Sequence, residues 1–82
     1  MTEKSLLDDI TKTILAHKEK TGKKPHFIYL GVDEMELLMK GIVFKMQNQA
    51  LTPSKPWYIF KVEIVEVYKK SFLEVGEKNE NS

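Results

Sequence analysis

The stretch Pro25-His26-Phe27-Ile28-Tyr29-Leu30-Gly31-Val32-Asp33-Glu34-Met35-Glu36-Leu37-Leu38 decides the fold. Phe27 to Leu30 is too continuously apolar for an exposed edge and reads as a buried strand, which Gly31 ends. Asp33 then reads as a helix N-cap, with Glu36 three residues on at the capping-box spacing. Val32 before that cap and Leu37 four residues after it have the spacing of a hydrophobic staple. A buried strand turning at one glycine into a helix requires a second layer to cover it. The flanking sequence must supply that layer.

On the N-terminal side, Ser5-Leu6-Leu7-Asp8 has capping-box form with Asp in place of Glu, and Leu6, Leu7, Ile10, Ile14 and His17 recur on one helical face. Asp8 and Asp9 in the first turn and Lys18 and Lys20 in the last complement the helix dipole. Gly22 suits a left-handed terminator and Pro25 bars continuation, which predicts a helix over about residues 4–20. On the C-terminal side the second helix is expected from about Glu34 to Lys40, with Met35, Leu38 and Ile42 inward and Gly41 as its stop. Ile42, Phe44 and Met46 alternate with Val43, Lys45 and Gln47, the period of a half-buried strand. Residues 48–56, with two prolines, read as an exposed loop. Trp57 to Tyr68 is the longest β segment: Phe60, Val62 and Ile64 share one face, Val65 and Val67 the other, and the slip after Ile64 suggests a bulge. Lys69-Lys70-Ser71 turns into a last strand, Phe72 to Val75, and the charged residues 77–82 read as a disordered tail. The expected fold is therefore a single α+β domain over residues 1–76 in the order α-β-α-β-β-β. Two helices cover one face of a three- or four-stranded, mostly antiparallel sheet.

At 82 residues the chain has room for one core, and without cysteine that core holds by packing alone, with neither disulfides nor thiolate metal sites. No apolar run is long enough to cross a bilayer, and Met1-Thr2-Glu3-Lys4-Ser5 lacks the apolar region of a leader, so a soluble, cytoplasmic protein is expected. Thirteen basic residues balance twelve acidic ones, and every basic residue is lysine. Without arginine's planar fork, dedicated reading of base edges is not expected.

Chemistry-bearing residues are few. His17 and His26 have no cysteine partner, no serine lies in a nucleophile-elbow setting, and two histidines without an acidic triplet do not make a metal site. No enzyme activity, cofactor, metal or small-molecule substrate is expected. Leu30-Gly31-Val32-Asp33 has the outline of a phosphate-binding helix start, but Asp33, Glu34 and Glu36 crowd the place a phosphate would take. Lys18, Lys20, Lys23 and Lys24 cluster at one helix end, and with Trp57, Tyr58 and Phe60 as stacking faces they offer an alternative function: weak, sequence-tolerant binding of single-stranded nucleic acid. The leading expectation is a protein interface, with another protein or a second copy, built on Trp57, Tyr58 and Phe60 with Tyr29 and Tyr68 beside them. Trp57 stands either at the surface end of a strand or over the edge of the core. Tyr29, Tyr58 and Tyr68 fit a sheet face turned away from the helices. The long strand could also pair edge to edge with a partner.

Ile28-Tyr29-Leu30-Gly31-Val32-Asp33-Glu34-Met35-Glu36-Leu37-Leu38, preceded by His17-Lys18-Glu19-Lys20-Thr21-Gly22-Lys23-Lys24-Pro25 and followed later by Phe72-Leu73-Glu74-Val75-Gly76, resembles small proteins encoded by bacteriophages and prophages. The order of strand, short helix and closing strands is also similar to part of the peripheral domain of tailed-phage capsid proteins. The resemblance covers about residues 14–40 and 58–76. It departs where Phe60-Lys61-Val62 replaces the Gly-x-Pro often found before the closing strand. It implies a phage or mobile-element setting and a non-enzymatic role, and it transfers no functional residue.

Overall fold

The computed structural model describes residues 2–48 and 56–77. Its elements are α1 (Glu3–Thr21), β1 (Phe27–Leu30), α2 (Val32–Met39), α3 (Ile42–Gln47), β2 (Tyr58–Ile59), β3 (Val62–Glu66) and β4 (Leu73–Gly76). The strands form one sheet in the order β2-β3-β1-β4. The α+β class and the helix-covered, mostly antiparallel sheet are as expected. The two outer pairs are antiparallel, and the central pair, β1 with β3, is parallel. A parallel neighbour requires a crossover, which α2, α3 and β2 supply. No helix among the described residues is long and apolar enough to cross a membrane. The loop expected over 48–56 lies outside the described residues except for its two ends, as does the tail beyond Glu77.

Burial follows the strand period. Ile28 and Leu30 of β1 and Val62 and Ile64 of β3 point to the helices, where they meet Leu6, Ile10 and Ile14 of α1, Met35 and Leu38 of α2, Phe44 of α3 and Ile59 of β2 in one core. The predicted α1 stripe is therefore the buried stripe. Its cap lies earlier than expected: Thr2, not Ser5, is the N-cap, and Ser5 closes a reciprocal capping box with it. At the other end Gly22 takes the left-handed conformation, φ 80°.

Three local expectations are corrected. The strand expected from Ile42 is the helix α3: α2 closes at its C-cap Lys40, and the next residue, Gly41, is already the N-cap of a new helix. Helical spacing then sends Phe44 into the core and leaves Ile42 67% and Met46 75% exposed, although the alternating pattern placed all three on one inward face. The single strand expected over Trp57–Tyr68 is a hairpin that turns at Phe60 and Lys61, both at positive φ (51° and 66°). It carries none of the Gly or Asn that normally announces a two-residue turn. The slip after Ile64 arises because Val65 faces the other side of the sheet, opposite Tyr29 of β1, within an unbroken β3.

A further correction concerns the strand–glycine–helix junction. The N-cap of α2 is Gly31, not Asp33, and it makes no side-chain cap bond. Glu34 is then the third helical residue, and its buried carboxylate meets the chain segment 69–72. Ser71 Oγ donates to Oε2 (2.5 Å) and Phe72 N–H to Oε1 (2.9 Å). In return the carbonyls of Lys69 and Lys70 accept the amides of Val32 (2.8 Å) and Asp33 (2.9 Å). A helix start whose amides lack intrahelical partners is thus closed by a loop from the far end of the sequence.

Candidate functional site

Strand register brings the other face of the sheet together. Across the four strands Tyr58 stands opposite Glu63, Glu63 beside Phe27 and Phe27 opposite Gly76; in the next row Val65 lies beside Tyr29 and Tyr29 opposite Glu74. These are the alternate residues of strands whose inward partners fill the core, so they form the face away from the helices. Phe27 and Tyr29 are neighbours on it, ring centroids 6.4 Å apart. Tyr29 leans over Gly76, where an added Cβ would come within 2.8 Å of the ring. Tyr58 is 41% exposed.

Two open grooves of about 730 and 510 Å³ adjoin the Tyr58 end of this face. The larger is lined by Lys24, Gln47, Tyr58, Phe60 and Lys61. The smaller shares Lys24, Tyr58 and Lys61 and adds His26, Phe27 and Glu63. Lys24 comes from the link between α1 and β1, and Lys61 from the positive-φ turn. That turn is held from outside: Gln47 Oε1 accepts the Phe60 amide (2.6 Å), and Lys24 Nζ reaches the Phe60 carbonyl at 3.5 Å.

The outer edge of β2 is closed by one side chain. Asn48, at the end of α3, accepts the Tyr58 amide on Oδ1 (2.6 Å) and donates from Nδ2 to the Tyr58 carbonyl (2.7 Å). The carboxamide takes the place of a neighbouring strand, so this edge does not offer the exposed pairing surface expected of a long free strand.

The predicted residues divide accordingly. Tyr29, partly buried, and Tyr58 share the sheet face away from the helices, and Tyr68 is fully exposed beyond the end of β3. Trp57 is half-buried over the edge of the core, its ring edge-on to Phe44 at 5.6 Å and 80°. Phe60 packs partly against the same core from the turn. Of the four clustered lysines, Lys24 lines the grooves, and Lys18, Lys20 and Lys23 line neither. Phe27, Lys61 and Glu63 were not singled out from sequence. Strand alternation with Tyr29 could have found Phe27, whereas the turn that presents Lys61 has no local signature.

Other chemistry is limited among the described residues. No group of three or more His, Asp or Glu is placed to hold a metal. His17 Nε2 meets Glu77 Oε1 at 3.2 Å, and the His26 ring packs beside Phe27. Asp33, Glu34 and Glu36 line a depression at the start of α2. The two amides that would cradle a phosphate there are already taken by Lys69 and Lys70 carbonyls. Burial raises the Glu34 pKa, but the Ser71 hydroxyl and the amides of Phe72, Glu34 and Gly31 outweigh it and hold the carboxyl below its ordinary 4.5. That group is a structural clasp.

No protein-family model matches this chain, nor does any curated protein or solved structure.

Proposed function

We propose that this is a non-catalytic binding protein that docks another protein, or a second copy of itself, on the open face of its sheet. The observation that carries this reading is the register that sets Tyr58, Phe27, Tyr29 and Val65 on the one face that the helices leave free. Rings and aliphatic side chains with polar groups between them have the composition of an interface centre. Glu63 and Glu74 stand among those rings, which argues against a phosphate-tracking surface and weighs against the single-strand alternative. The phage or mobile-element setting rests on the resemblance of residues 14–40 and 58–76, and a small docking protein is consistent with it. The reading is tested with the double variant Tyr29→Ser and Tyr58→Ser, using light scattering on the purified chain and affinity capture from lysate. Loss of self-association or of a captured partner, with the melting curve retained, supports the reading. Unchanged association in the folded variant refutes it.

A further inference from the structure

Resting on that reading, we infer that the occupant of the Tyr58 end of the face is an extended acidic segment of a partner protein, carrying an aromatic or long apolar side chain. Both grooves are lined by Lys24, Lys61 and the Tyr58 ring. Lys61 makes no hydrogen bond or ion pair with another described residue, and Lys24 makes only the 3.5 Å contact to the Phe60 carbonyl. Both ammonium groups are therefore available to carboxylates arriving in the grooves beside that ring. The ring itself offers apolar surface, joined by Phe60 in one groove and Phe27 in the other.

The turn fixes where Lys61 stands. Phe60 and Lys61 occupy conformations that side chains other than Gly, Asn and Asp adopt at a cost. Positive φ at both central positions is what a two-residue hairpin turn requires. Here Gln47 Oε1 accepts the Phe60 amide, and the turn places Lys61 beside Tyr58.

Glu63 separates an acidic peptide from a nucleic acid. It lies between Tyr58 and Phe27 in the same row, where a chain with a phosphate at every step would be repelled. A peptide carries its charges on some residues only and can offer Glu63 a backbone amide or a tyrosine hydroxyl.

The test uses the full chain and a defined probe, the blocked peptide acetyl-Glu-Glu-Tyr-Glu-Glu-Tyr-Glu-Glu-amide. A peptide with lysine in place of every glutamate and an eight-residue oligothymidylate run beside it. Chemical-shift mapping should place the acidic peptide at Lys24, Phe27, Tyr58 and Lys61, with saturable binding that weakens as salt rises. The surface double variant Lys24→Gln with Lys61→Gln should raise its Kd about fivefold or more with the fold intact by circular dichroism. No binding of the acidic peptide, shifts elsewhere, an unchanged Kd in the double variant, or tighter binding of the lysine peptide or the oligothymidylate would each overturn the inference. If it falls while Tyr29→Ser with Tyr58→Ser still abolishes association, only the ligand class is wrong and the docking face stands.

Discussion

At Glu34, a residue only 4% exposed, the carboxylate stays charged because the hydrogen bonds it accepts outweigh the cost of removing it from water. Its folded pKa lies below the ordinary 4.5, so the charged form stabilises the fold above about that pH, and the contribution is lost as pH falls through the lower, folded value. Glu34→Gln keeps an acceptor but loses the charge. It should cost about 1–2 kcal/mol at neutral pH and flatten the acid limb of a stability–pH curve measured by urea unfolding. Gly31 is constrained by space, since its φ of −77° is ordinary. An added Cβ would lie 2.7 Å from both the Lys69 carbonyl and the Phe72 amide, backbone groups of the clasping loop that have little freedom to move. Gly31→Ala should therefore destabilise by about 2–4 kcal/mol, measured as a fall in the denaturation midpoint.

Among the elements, β2 and α3 depend on each other. β2 has only two residues, and its outward amide and carbonyl are met by the Asn48 side chain, which also donates to the Phe44 carbonyl at the end of α3 (2.9 Å). Asn48→Ala should cost about 1–3 kcal/mol by leaving those groups unpaired. It should also raise aggregation at high concentration, seen by light scattering, as the edge becomes free to pair. The turn between β2 and β3 gives the opposite sign. Lys61→Gly removes the steric cost at φ 66° and should stabilise by about 1 kcal/mol, read as a higher melting temperature, while weakening the acidic-peptide site. A stable variant that bound that peptide as well as before would count against Lys61 as a contact of the proposed acidic segment.

In the whole molecule one sheet divides the apolar residues into two sets with different duties. Trp57 and Tyr58 are adjacent in sequence and on opposite sides of it: the first packs on Phe44 at the edge of the core, the second stands on the open face. Trp57→Ala should therefore cost about 2–4 kcal/mol of stability, rather than leaving the fold intact as a surface anchor would. Tyr58→Ser should change stability by less than about 1 kcal/mol and act on association instead. Melting curves of the two variants, measured side by side, distinguish these roles.

Residues near one another in the chain determined α1, β1, the helix after Gly31 and the closing strand. A helical stripe such as Leu6, Ile10 and Ile14, or a left-handed stop such as Gly22, is written within a few positions of where it acts. Tertiary structure decided what those signals left open. It made Ile42–Gln47 a helix by giving Phe44 a core to enter, turned the chain at Phe60 and Lys61 without a glycine, and set Trp57 inward. It also chose Gly31 over Asp33 as the cap of α2, since the groups that complete that helix start arrive from Ser71 and Phe72, 37 and 38 residues away from Glu34. Such partners meet only once the sheet has formed, and no local pattern can announce them.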